Sequence, residues 1–255
     1  MDRPRGLSRV YPSPLTDRLP AVFAGSGRPV LEALAALERE FALATRPGIE
    51  HRVAHTKLAW WRAEVERLAR GAPEHPLTKA LGAAARATPD WRLLNERLDA
   101  ADLALGGFVP ATLAELEALL YRTHGSLEQL GATLLAAHST PVLLEFGASL
   151  GKALGLIEWL CAAAPPGAPA IARSAAGARA QALLDSLDTL LPPRDRAALP
   201  GAFVAAALAH AALVELGSRG EPARPDSRGS PGAIVQVFIA WRAARRALRT
   251  DRHAP

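Results

Sequence analysis

The sequence predicts an all-α fold of about eight to ten helices, and three observations carry that reading. Apolar residues recur at spacings of three and four over long runs. No segment alternates with period two for long, and β-branched residues are sparse. The breaks between runs are short and rich in proline and glycine, as in connections between helices packed side by side.

Taken in order, residues 1–29 read as an N-terminal arm with one turn of helix near Leu19 to Phe23. Residues 30–249 read as a single domain with a mobile loop at 218–232, and residues 250–255 as a tail. Val30, Leu34, Leu37, Phe41 and Leu43 form the first helical stripe, stopped near Pro47-Gly48. Ala54, Leu58, Trp61, Val65 and Leu68 form the second; on it Trp60 and Trp61 point about 100° apart, so one fills the core and the other covers a neighbouring helix or a cavity mouth. Pro76 opens a short helix to about Ala85. Pro89-Asp90 introduces another through Trp91, Leu94, Leu98 and Leu103 to Gly106-Gly107. Thr112 and Glu115 form a capping box ahead of Leu116, Leu119, Leu120 and Tyr121. Gly125 ends or kinks that helix, and Ser126 with Gln129 can cap its continuation to about Ala137. A long apolar helix follows from Pro141 through Leu144, Leu150, Leu154, Ile157 and Leu160 to Pro165-Pro166. Alanine- and leucine-rich helices at about 170–191 and 200–217 come next, and a last helix runs through Ile234, Phe238, Trp241 and Leu248.

At 255 residues the chain can bury a core without disulfides or metals. Its single cysteine, Cys161, excludes an internal disulfide and sits in an apolar run where a buried, inert thiol is expected. Residues 1–14 hold Arg3, Arg5 and Arg9 with prolines and no apolar run of signal-peptide length. The apolar stretches at 141–164 and 201–216 are too short, or carry Glu145, Lys152, Glu158 and His210, so none reads as a membrane span. A cytoplasmic protein, in peripheral contact with membrane at most, is expected. The net charge of +5 is carried almost wholly by arginine and favours anionic surfaces. Aromatic residues make up 5% of the chain and are not interleaved with the arginines, which argues against nucleic acid.

Several constellations have a chemical reading beside a structural one. Gly147-Ala-Ser149-Leu-Gly151 matches a hydrolase nucleophile elbow, but that motif needs a strand, a turn and a parallel sheet that the chain cannot supply. Gly147, Gly151 and Gly155, spaced by four, read instead as a ridge where helices approach closely. His51 and His55 share a helical face, without a glutamate after His51 or a third ligand, so a solvated face is expected rather than a metal site. The pairs Asp99/Asp102 and Asp185/Asp188 can each chelate one Mg²⁺, with surface solvation as the default. On the last helix Arg242, Arg245, Arg246, Arg249 and Arg252 lie beside Phe238, Trp241 and Leu248. Such a helix either docks on an anionic membrane or a protein partner, or closes the bundle with a solvated basic face.

The order of Leu58-Ala-Trp60-Trp61-Arg62, His75-Pro76, Asp102-Leu103, Ala114-Glu115-Leu116, Tyr121, Leu150-Gly151-Lys152-Ala153-Leu154-Gly155-Leu156 and Trp241-Arg242 resembles the squalene/phytoene synthase family. The resemblance spans about residues 17–249 and implies an isoprenoid synthase fold around a central cavity. Family enzymes join prenyl diphosphates, using two aspartate-rich motifs to hold the Mg²⁺ that binds the leaving diphosphate. Here the first motif would fall on the helix around 34–45, where only Glu38 and Glu40 are acidic and do not share a face. The second would follow Gly155, where the enzymes have Arg-Asp and this chain has Leu160-Cys161-Ala162-Ala163. These departures resemble a non-catalytic branch that includes a mitochondrial complex I assembly factor. The resemblance then implies a degenerate binding or assembly factor for an isoprenoid, a lipid or a protein partner, with no catalytic or metal-ligating residue and no cofactor. Glu40, Trp61, Asp102, Tyr121 and Lys152 would lie near the old cavity. Alternatively Asp102 is a cap or solvated, Tyr121 packs with its hydroxyl satisfied, and Lys152 faces solvent. The other function is a prenyl diphosphate transferase for head-to-head condensation with unusual ligands, the one case that calls for Mg²⁺.

Overall fold

A computed structural model describes residues 19–46, 48–85, 89–162, 170–219 and 233–249, and among them every regular element is helical. Residues 1–18, 220–232 and 250–255, the greater part of the expected arm, loop and tail, lie outside the described residues. The expected turn of helix is α1, Leu19–Phe23, and it belongs to the bundle rather than to a free arm: Leu19 is buried against the last two helices.

The first half of the chain builds one core. Helix α2, Arg28–Ala44, and α3, His51–Ala69, bury Phe41 and Trp61 with Leu37, Leu58, Val65 and Leu68. Helix α4, Pro76–Ala84, and α5, Leu93–Leu105, close it with Leu81, Leu94 and Leu98. Along α2 the stripe continues through Ala44, while Leu43 is exposed. Leu43 lies two residues past Phe41, off the face, and only Ala44 keeps the helical period.

Helix α6, Leu113–Leu120, starts on the expected capping box: the Glu115 amide donates to the Thr112 hydroxyl and the Ala111 amide to the Glu115 carboxylate. It does not stop at Gly125. Residues Tyr121–Gly125 widen into a π-helical turn, with the Ser126 amide donating to the Tyr121 carbonyl, and the chain continues as α7, Ser126–Ala136. The widened turn loosens the ordinary ladder, and the Thr123 and Ser126 hydroxyls satisfy the carbonyls of Leu119 and Arg122.

Helix α8, Pro141–Cys161, is the spine of the second core, packing on α7, on the π turn and on α9, Arg173–Leu190. Its glycine ridge has the expected role. A Cβ on Gly147 would stand 2.6 Å from the Gln129 backbone, and one on Gly151 would stand 2.5 Å from the Gly125 Cα. Ser149 lies buried inside the same continuous helix, so the hydrolase geometry is absent there. Cys161, expected inside, is exposed at the end of α8.

Short helix α10, Pro193–Ala198, is the element the sequence pattern does not reveal; α11, Pro200–Arg219, and α12, Ala233–Arg249, complete the bundle. The face of α12 differs from expectation. Gln236, Ala240, Ala244 and Ala247 are buried, while Phe238, Trp241 and Leu248 are exposed. Alanines allow a closer approach to α11 than the bulky stripe would.

Gly151→Ala is expected to destabilise the fold by about 1–3 kcal/mol despite the better helix propensity of alanine, because its Cβ meets backbone rather than a movable side chain. Gly155→Ala should cost less, since the new atom meets the Leu120 and His124 side chains. Urea unfolding of the two variants measures the difference.

Candidate functional site

Helix α3 carries chemistry on two sides. On one side Trp61 is buried with its ring edge-on to Phe41 at 5.1 Å, while Trp60 is 43% exposed. The ring of His75, at the start of α4, packs edge-on to Trp61 at 4.8 Å and to Trp60 at 5.9 Å. Arg67 lies over the outer face of Trp60. These rings, with Glu40, Leu43, Ala44 and Lys57, line a pocket of about 300 Å³. The division of labour between the two tryptophans is thus one in the core and one at a pocket mouth.

Glu64 fixes this pocket from below. Its carboxylate is fully buried and accepts from the amides of Glu74 and His75, from the Thr78 hydroxyl and from the Arg67 guanidinium. Burial acts to raise its pKa, but the bonds from Thr78, His75, Arg67 and Glu74 outweigh burial and hold it at about 2. One carboxylate therefore sets the path from α3 to α4 and the position of the His75 ring.

The opposite side of α3 carries an ion network. Arg62 donates one nitrogen to both Asp99 and Asp102 of α5. His55 Nδ1 lies 3.0 Å from Asp102, and His55 Nε2 lies 2.9 Å from His51 Nε2. A carboxylate accepts only, so the network assigns the His55 proton to Nδ1 and makes His51 Nε2 the donor to His55. Arg122, in the π turn, reaches Glu96 at 3.1 Å and Asp99 at 3.6 Å. Asp99, Asp102, Leu103, Gly106, Phe108 and Arg122 border a wider pocket of about 450 Å³. The Asp99/Asp102 pair is met by arginines, and the His51/His55 pair by a shared proton. Asp188 likewise faces Arg246 at 3.9 Å, and Asp185 accepts from Gln181.

A third group lies inside. Arg97 of α5, its Nε enclosed, is close enough to Glu38 of α2 and Glu158 of α8 for both charges to bear on it. Burial pushes the guanidinium below its ordinary value against the upward pull of those two carboxylates. Glu158 is buried, and His124 of the π turn stands 3.5 Å from it.

The five expected residues do not converge. Glu40 and Trp61 share the aromatic pocket, and Asp102 borders the other. Tyr121 donates its hydroxyl to Gln129 at 3.0 Å, and Gln129 in turn donates to the Leu144 carbonyl. Lys152 is half-buried on α8 and lines neither pocket. Arg62, Glu64, Arg97 and Glu158 were not among the site residues expected from sequence. The readable signal was a charge inside an apolar stripe: Arg97 between Leu94, Leu98 and Ala101, and Glu158 three residues beyond Gly155.

Magnesium asks for several hard carboxylate oxygens around one point. Among the described residues no group of three or more His, Cys, Asp or Glu side chains is placed to hold a metal ion. Arg97 lies near enough to Glu38 and Glu158, the carboxylates nearest the expected motif positions, for both charges to bear on it, so these positions offer acids beside a cation rather than a set of carboxylate ligands.

The Glu64 carboxyl has a folded-state pKa below its unfolded value, so the stability it gives is complete above about pH 4.5 and lost as pH falls towards 2. Glu64→Gln is expected to cost about 2–4 kcal/mol at pH 7, by leaving Arg67 facing an amide. Its penalty should shrink on acidification, which paired urea melts at pH 7 and pH 3 would record.

Comparison with known proteins agrees with this geometry at the level of family. No curated protein matches the chain. The sequence pattern described as squalene/phytoene synthase matches residues 19–164, from α1 to the end of α8, and so leaves the Trp241-Arg242 pair outside the match. That match covers more than half of the 255 residues, and the chain belongs to the squalene/phytoene synthase family.

Proposed function

We propose that this protein is a non-catalytic member of its family, a binding or assembly factor for an isoprenoid, lipid or protein partner, akin to the branch that includes a mitochondrial complex I assembly factor. The observation that carries the reading is Arg97, a fixed cation that Glu38 and Glu158 both act on. A prenyl transferase draws two diphosphate-bearing substrates to Mg²⁺ held by facing carboxylates. A guanidinium close enough to those carboxylates to feel their charge supplies positive charge where the enzymes would place metal, and it is built into α5 rather than exchangeable. The acid count supports the same reading, since Glu40 has turned to the aromatic pocket and residues 156–164, directly after Gly155, hold a single carboxylate, Glu158.

The aromatic pocket is the binding element. Trp60, Trp61, His75 and Leu43 offer apolar surface, and Glu40 and Lys57 at its rim orient a polar group. Such a pocket takes the end of an isoprenoid or acyl chain, or an apolar side chain of a protein partner.

Incubated with Mg²⁺ and farnesyl or geranylgeranyl diphosphate, the full chain is expected to release no more diphosphate than its Glu40→Ala variant. Release well above that variant would make the protein a transferase. Farnesol should quench the tryptophan emission of the unaltered chain, and the response should be at least halved in Trp60→Ala; an unchanged response would remove the pocket from the proposal. Arg97→Met is expected to lower stability by about 3–5 kcal/mol, because it leaves the buried Glu158 carboxylate without that cation.

A further inference from the structure

Helix α12 turns the usual arrangement of an amphipathic helix inside out. Its buried face is made of Gln236, Ala240, Ala244 and Ala247, with Ala240 and Ala244 packed with Leu19 of α1 and Val204 and Leu208 of α11, and Ala247 joining the second core. Its bulkiest side chains stay outside: Phe238 is 54% exposed, Trp241 43% and Leu248 52%, with Val235 and Val237 also exposed. Isolated exposed apolar residues are ordinary, but this helix of 17 residues exposes five, two of them aromatic.

The charges of the helix itself have one sign. Residues 233–249 contain no Asp or Glu, and Arg242, Arg245 and Arg246 are exposed, Arg246 with Asp188 of α9 3.9 Å away. Two of these lie on the aromatic rings: the Arg242 guanidinium sits 5.8 Å from the centre of the Phe238 ring, and that of Arg245 sits 4.9 Å from the Trp241 ring. Phe238 and Trp241 themselves stack at 6.0 Å. The result is a ladder in which apolar rings and guanidinium groups alternate, each arginine keeping donors free at its edge. The neighbouring helix α11 is unusually apolar as well: residues 200–217 have a mean hydropathy of 1.5, yet only 33% of them are buried.

We propose that the outer face of α12 docks on an anionic lipid surface, with the helix lying in the plane of the headgroups. Trp241, Phe238 and Leu248 enter the boundary between headgroups and acyl chains, and Arg242, Arg245 and Arg246 pair with lipid phosphates. Charge complementarity selects this occupant. The segment ahead of Leu19 carries Arg3, Arg5, Arg9 and Arg18 against Asp2 and Asp17, so it shares the sign of the face. Residues 220–232 hold no apolar side chain larger than proline to cover it. This proposal is independent of whether the old cavity binds or reacts.

The test is co-sedimentation of the full chain with sucrose-loaded vesicles of phosphatidylcholine alone or with phosphatidylglycerol at three to one. Binding is expected to the anionic vesicles at low salt, to weaken severalfold in 0.5 M NaCl, and to be negligible on neutral ones. Replacing Arg242, Arg245 and Arg246 together by Gln should lower partitioning about 100-fold, at roughly fivefold per arginine. Phe238→Gln with Trp241→Gln should lower it about tenfold or more, with an unchanged circular dichroism spectrum, since both side chains are exposed. Equal binding to both vesicle types, or none to either, overturns the proposal. So does a dimer in solution that dissociates in the Phe238→Gln/Trp241→Gln variant, which would make the face an interface between copies.

Discussion

Everything in the second half of the bundle depends on how closely α8 approaches the chain before it. At Gly147 and Gly151 there is no room for a side chain, because the backbones of Gln129 and Gly125 occupy that space. Contact at this range locks the two segments in rotation as well as in distance, since helices this close can neither roll nor slide without collision. The polar links then fall into place: Gln129 spans from the Tyr121 hydroxyl to the Leu144 carbonyl, and His124 meets Glu158. The same spine presents its other side to α9, so one ridge organises both neighbours.

The interior charges give the molecule its chemical character. A cavity meant for diphosphate must hold carboxylates apart and unneutralised until metal arrives. In this chain the arginines arrive first. Arg62 and Arg122 neutralise the aspartates of α5 from outside, and Arg97 serves Glu38 and Glu158 from inside. Glu64 follows the same logic with hydrogen-bond donors from one short stretch, residues 67–78. Such groups hold position well, but none is a free carboxylate awaiting an ion.

The periodicity of the sequence is a faithful guide where a helix has one apolar face. On α2 and α3 it finds Val30, Leu34, Leu37, Phe41, Leu58, Trp61 and Val65, all buried. It misleads on α12, because the largest residues dominate an apolar count while a tight helix pair is lined by alanine. It gives only a faint sign of Arg97 and Glu158, a charge within an apolar stripe, and says nothing of their neighbours on helices far away in the chain. The candidate site suffered for the same reason. Glu40 and Asp102 each border a pocket, but α3 stands between them, and a linear order of motifs does not say which side of a helix each will face. The π turn had only a weak trace, Gly125 as a stop or kink, since nothing in local propensity separates an extra residue from an ordinary glycine.

That turn has a bearing on how this chain is compared with others. A π-helical turn houses one residue more than an α-helix of the same rise, so Tyr121–Gly125 is equivalent to a single insertion accommodated without a loop. A chain lacking the extra residue would keep α6 and α7 as one regular helix with the same faces on either side, because the widened turn absorbs the insertion locally. An extra residue taken into an unwidened helix would instead rotate every later position by about 100°, and Gly125 and Gln129 would no longer face α8. Alignments across this segment are best anchored separately on α6 and α8, with the gap placed within residues 121–125, so that contact-bearing positions are matched by the face they occupy.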